Sequence, residues 1–208
     1  MKTLKQYITE KLKIQKNIEK TEHTLFPKSK EELYKMIKDE IDKNGNECSL
    51  NHIDVSRLND MSYLFYDGLE DFDGDISEWD VSNVEDMEGM FYKSKFTGEN
   101  GDISKWNVRA VIDMQDMFRY SKFSGDIGDW NVSNVTNMRH MFRECPFNGD
   151  ISNWDVSNVE DVAYMFYKND VFNKDISMWN LKSVEYSSGV FNSSLLQDKK
   201  EFWPKALR

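Results

Sequence analysis

Two columns of oxygen-bearing side chains recur at a fixed step along this 208-residue chain. Asp75, Asp102, Asp126, Asp150 and Asp175 each stand four positions before a Trp. Asp54, Asp80, Asn107, Asn131, Asp155 and Asn180 stand one position after the same slot, which Ile53 fills in the first unit. Hard oxygen ligands repeated at one period are the chemistry of a Ca²⁺ site between successive coils. The same residue types close turns by accepting their own backbone N–H groups. The irregular mixture of Asp and Asn varies the ligand charge from unit to unit, which favours turn closure. His23, His52 and His140 form no H-E-x-x-H pair, and Cys48 and Cys145 form no C-x-x-C. The chain has no glycine-rich phosphate loop and no nucleophile elbow. No catalytic residue, metal site or cofactor is therefore assigned, and the expectation is a protein that is not an enzyme.

Another kind of chemistry lies where repeated units disagree. Immediately before the Trp slot stand His52, Glu78, Lys105, Asp129, Asn153 and Met178, and ten positions after it stand Tyr63, Gly89, Asp116, His140, Tyr164 and Gly189. Columns that are identical in every unit hold the unit together, whereas variable columns are free to specify a partner. The first of these sets is the expected binding surface, and the expected partner is a protein.

The unit that must position these residues is legible in the Trp spacing. Trp79, Trp106, Trp130, Trp154 and Trp179 are followed in phase by Trp203. Around each Trp the core positions recur: Ile three before, Val two and five after, a Met-Phe pair eleven and twelve after, and then a second Phe. I-x-x-W-x-V steps by two, as in a short strand, and V-x-x-M-x-x-M-F steps by three and four, as on one helix face. Ser82-x-x-Glu85 and Ser157-x-x-Glu160 fit capping boxes between them. The expected fold is α/β: a leucine-rich-repeat-like solenoid of about six strand–turn–short helix coils, with a parallel sheet and an N-terminal helical cap. Strands are expected at 50–55, 76–81, 103–108, 127–132, 151–156 and 176–181.

The expected organisation is a basic amphipathic head at 1–20, a capping helix within 21–47, repeats over 48–196 and a C-terminal cap at 197–208. In "SKEELYKMIKDEIDKNGN", Leu33, Met36, Ile37 and Ile41 share one helical face before a Gly stop. The phrase "FNGDISNWDVSNVEDVAYMF" resembles the BspA-like leucine-rich-repeat family, the repeats of bacterial surface proteins and Mycoplasma lipoproteins. That resemblance covers about residues 48–196 and implies adhesion at a cell surface. One departure is the Asn, which comes one position early for a standard leucine-rich repeat.

Charge divides the chain. Residues 1–20 carry six Lys against two Glu, whereas the whole chain has a formal net charge of −10. The acidic balance disfavours nucleic acid and anionic membranes as partners. No apolar run approaches a membrane span, and neither a secretory signal nor a disulfide framework is visible. The expectation is a monomer in a reducing, cytoplasmic setting, with the cell surface as the alternative. "MKTLKQYITE" resembles the capsid-targeting peptides of internal head proteins in large tailed phages, with Ile8, Thr9 and Glu10 as the processing site. That resemblance implies a protein packaged in the virion that binds a host or defence protein. The other readings are a surface adhesin and a calcium-stabilised scaffold.

Overall fold

The computed structural model describes residues 21–208. The basic head and the processing site Ile8, Thr9 and Glu10 lie outside the described residues. One α-helix is present among them, α1 (Lys30–Asn44). Ser29 caps it by accepting the N–H of Glu32 at 3.3 Å, and Glu32 accepts the N–H of Lys28 at 2.9 Å. Gly45, at φ 85°, ends it and returns its N–H to Ile41 O. Leu33 and Ile37 are fully buried, and Met36 and Ile41 pack partly buried against the first coil.

The repeats do not form strands, short helices or a sheet, which corrects the expected α/β solenoid. Six coils stack, named here by the residue in the Trp slot: Ile53, Trp79, Trp106, Trp130, Trp154 and Trp179. Consecutive coils meet through isolated parallel bridges, chiefly along the column Asp60, Asp86, Asp113, Asn137, Asp161 and Tyr186. The segments expected as strands are turns. The Trp79 N–H closes onto Ile76 O at 3.2 Å, and the Val84 N–H onto Val81 O at 3.0 Å. The same closures recur at Trp106–Ile103 and Val111–Val108 and in later coils.

The segments expected as helices are broken by left-handed residues. All ten non-Gly residues with positive φ, together with Gly89 and Gly189, fall in two columns, ten and fourteen positions after the Trp slot. They include Asp116 (φ 55°) and Tyr120 (φ 60°), and an α-helix cannot pass through such a residue. In the Trp79 coil the N–H groups of Met90, Tyr92 and Ser94 close onto Met87 O, Gly89 O and Phe91 O. Those of Met87, Gly89, Phe91 and Lys93 donate instead to Asp113 O, Gln115 O, Met117 O and Arg119 O of the next coil, at 2.8–3.0 Å. The chain therefore folds into a ribbon of overlapping turns. Alternate N–H groups serve the coil itself, and the others serve its neighbour, as a sheet edge would.

Between the faces lies an aromatic core. Phe65, Phe91, Phe118, Phe142, Phe166 and Phe191 stack with centroids 5.2–5.8 Å apart and planes within 17° of parallel. Phe72, Phe96, Phe123, Phe147 and Phe172 form a second column at 6.1–6.4 Å. Trp79, Trp106, Trp130, Trp154 and Trp179 are each at most 6% exposed. Each donates its indole N–H to the carbonyl three residues before the preceding coil's Trp slot, at 3.0–3.2 Å. A buried indole N–H needs such a partner, and this one fixes the register between coils. Phe202 O accepts the Ile176 N–H, and Trp203 packs on Phe191 at 4.6 Å, covering the far end of the core.

Candidate functional site

The acidic columns serve the coils themselves. Asp75, Asp102, Asp126, Asp150 and Asp175 each accept the N–H two residues on, at 2.8–3.0 Å. Asp54, Asp80, Asn107, Asn131 and Asp155 do the same at 3.0–3.3 Å. Hydrogen bonds from Ser152, Ser157 and Ser177 hold the carboxyls of Asp150, Asp155 and Asp175 below their usual range. Among the described residues no group of three or more His, Cys, Asp or Glu could hold a metal ion. Burial pushes the Cys145 thiol up to about 12, so it is a packed thiol rather than a nucleophile. Cys48 is also raised, by burial and by Glu40.

The column before the Trp slot lies along one face of the stack. His52 is half-buried, with Nε2 3.6 Å from Glu40 Oε2 of α1. Glu78 is exposed, and its carboxylate accepts the Thr21 N–H at 3.3 Å. Lys105 and Asp129 meet at 3.1 Å across adjacent coils, both largely exposed. Asn153 is exposed, and Met178 is 87% exposed. The fold brings together Lys105 and Asp129 only; the other four stand apart in the column.

A denser constellation lies on the turn ribbon. The residue after each Phe of the first five coils is Tyr66, Tyr92, Arg119, Arg143 or Tyr167, and its left-handed neighbours include Lys93, Tyr120 and Lys168. The coil stack turns these columns into one continuous strip. Tyr63, Tyr66 and Tyr92 meet edge to face at 5.1–6.2 Å, and Tyr92 meets Tyr120 at 6.0 Å. The Arg119 guanidinium lies over Tyr120 at 4.9 Å and Tyr92 at 5.6 Å. Arg143 lies over Tyr167 at 4.7 Å and Tyr120 at 5.8 Å. Each ring and each guanidinium therefore fixes its neighbour.

Polar groups lock the strip from beneath. Asp116, 7% exposed, accepts from Arg119 Nη1 at 2.9 Å and sits 3.2 Å from His140 Nδ1. Burial holds the His140 imidazolium below its usual pKa, against the pull of Asp116. Glu88 accepts from Tyr63 Oη at 3.0 Å and from Gln115 Nε2 at 2.7 Å. Burial, with that bond to Glu88, raises the Tyr63 phenol. At its N-terminal end the strip runs into an open groove of about 560 Å³ between α1 and the first coil, lined by Lys30, Tyr34, Ser62, Tyr63 and Tyr66.

The column comparison in the sequence singles out Tyr63, Asp116, His140 and Tyr164, but not the neighbouring Tyr and Arg columns. Their signal is the dipeptide after each Met or Leu: Phe followed only by Tyr or Arg in five coils.

The profile of the family described as "Mycoplasma protein of unknown function, DUF285" matches residues 31–146 and again 94–203. No curated protein matches the chain, and no solved structure does.

Proposed function

The chain belongs to the DUF285 family, and from that premise we propose that it is a non-enzymatic protein-binding module whose partner docks on the Tyr/Arg strip. The observation that carries this reading is the mutual locking of Tyr92, Arg119, Tyr120, Arg143 and Tyr167. Tyr and Arg are the residue types that dominate binding energy at protein interfaces. Side chains already held in place lose little freedom when a partner arrives. The core columns are committed to stacking, so the faces are what can differ between coils. The column His52, Glu78, Lys105, Asp129, Asn153 and Met178 is the secondary surface.

The test is affinity capture with the full chain, followed by titration of the captured protein against single variants. Tyr92→Ala and Arg143→Ala are expected to weaken binding by about 30-fold or more, the equivalent of ~2 kcal/mol for a hot-spot residue. If both bind as the parent does while Lys105→Glu with Asp129→Lys abolishes binding, the strip is the wrong face. The resemblance of the repeat phrase to BspA-like surface proteins favours a second reading, an adhesin that uses the same strip outside the cell. Localisation of the tagged chain separates this from a cytoplasmic or virion-borne binder.

A further inference from the structure

We propose that the ribbon edge of the last coil, Ser187–Ser193, takes up the main chain of a peptide with an acidic flank and an apolar centre, which folds into the same ribbon of turns and adds to the stack in parallel. The site is separate from the Tyr/Arg strip and does not depend on that strip's role.

At every junction between coils, the N–H groups eight, ten and twelve positions after the Trp slot donate to the following coil. Met138, His140 and Phe142 donate to Asp161 O, Ala163 O and Met165 O, and Val162, Tyr164 and Phe166 to Tyr186 O, Ser188 O and Val190 O, at 2.8–3.0 Å. In the last coil the same three positions are Ser187, Gly189 and Phe191. Among the described residues none of these three N–H groups has an acceptor. The fourth donor of the series, Ser193, is satisfied by the side-chain carbonyl of Gln197 at 2.6 Å. One donor is thus capped by a mimic of the missing main chain, and three are left pointing in the direction in which a further coil would lie.

These donors open onto a groove of about 240 Å³ lined by Ser187, Gly189, Trp203, Ala206, Leu207 and Arg208, among others. Its chemistry specifies the occupant. Three N–H groups on alternate residues ask for carbonyls on alternate residues, which a main chain folded into the same ribbon of turns supplies, as Asp161, Ala163 and Met165 do for the coil before them. The partly exposed Trp203 ring and Leu207 offer apolar contact to its side chains. The surrounding segment carries Lys199, Lys200, Lys205 and Arg208 against Asp198 and Glu201, a basic island on a chain of net charge −10. An acidic flank on the peptide complements it.

A second copy of the chain fits less well. The matching carbonyls at the opposite end belong to the first coil, over which α1 is fastened: Lys30 Nζ bonds Ser62 Oγ at 2.6 Å, and Tyr34 Oη bonds Asp67 O at 3.0 Å. Ten ångströms or so of helix would stand between the two edges.

The probe is a labelled peptide EDVAYMFYKN, a copy of residues 160–169, whose carbonyls make this ladder inside the fold. It is titrated by fluorescence anisotropy into the full chain, with a scrambled peptide of the same composition as control. Hydrogen exchange is then read at saturation. The expected result is saturable binding, slowed exchange at Ser187, Gly189 and Phe191, and at least ten-fold weaker binding to Ala206→Trp, which fills the groove, at an unchanged melting temperature. Arg208→Glu is expected to weaken binding in a salt-dependent way. The proposal is overturned if the scrambled peptide binds equally, or if exchange at the three amides is unaffected. It is also overturned if those amides are already protected in the free chain, or if its mass rises with concentration, which would make a second copy the occupant.

Discussion

Replacing Ala110 by Asn should stabilise the protein, because it completes a ladder that the other coils already have. Four residues after the Trp slot, Asn83, Asn134 and Asn158 donate their side-chain amides to Ser56 O, Arg109 O and Ser133 O of the preceding coil, each at 2.8 Å. Ser183 makes the equivalent bond to Ser157 O at 2.8 Å. The Trp106 coil alone among these has Ala110, which cannot donate to Ser82 O. One added hydrogen bond contributes about 1 kcal/mol net. Ordering the exposed amide offsets some of this, so the expected gain is about 0.5–1 kcal/mol. For a chain of this length that raises Tm by about 1–4 °C. Asn is compatible with the site, the third position of a turn closed by the Val111 N–H on Val108 O. The assay is differential scanning calorimetry of the parent, Ala110→Asn and Ala110→Asp. Asp has the same shape but no N–H to donate, and its charge faces a carbonyl, so it should lower Tm. A gain in Ala110→Asp equal to that in Ala110→Asn would refute the ladder as the cause and leave turn propensity in its place.

Trp130→Phe removes the bond to Ile103 O and part of a buried ring, although Ile103 O keeps the Trp106 N–H. About 1 kcal/mol for the bond and a further 1–2 kcal/mol for the lost volume should appear as a lower urea midpoint at unchanged m-value. Acid should destabilise the protein through His140. Its folded pKa is depressed, so between that value and the unfolded pKa of about 6.5 the unfolded chain binds the extra proton, and stability falls as pH is lowered through this window. Asp116, Arg119, Arg139 and Arg143 surround the ring, and His140→Gln should flatten the slope of ΔG against pH in urea titrations. Calcium and EDTA should leave Tm unchanged within about 1 °C, because the Asp oxygens of both columns already close turns; a saturable rise with calcium would revive an inter-coil ion.

The sequence by itself determined the period and the core. Trp, Ile, Val, Met and Phe recur at one phase because each must stack over its counterpart, and burial punishes any other residue there. The helix at Lys30–Asn44 was equally legible, since Leu33, Met36, Ile37 and Ile41 mark one face between a Ser cap and a Gly stop. The tertiary structure alone decided what the backbone does between those anchors. I-x-x-W-x-V places apolar residues two and three apart whether the chain is extended or turned. The choice fell to hydrogen bonds that the sequence does not display: Trp79 N–H onto its own Ile76 O, and Gly89 N–H onto Gln115 O of the next coil. Left-handed backbone at Tyr63 and Tyr164 is masked in the sequence, because Tyr is an ordinary helix residue, although Gly89 and Gly189 of the same column favour it; neighbouring coils hold it there. The Tyr/Arg strip was hidden for the same reason. Arg119, Tyr120 and Arg143 are up to 24 residues apart in the chain, and they become neighbours only when one coil lies on the next.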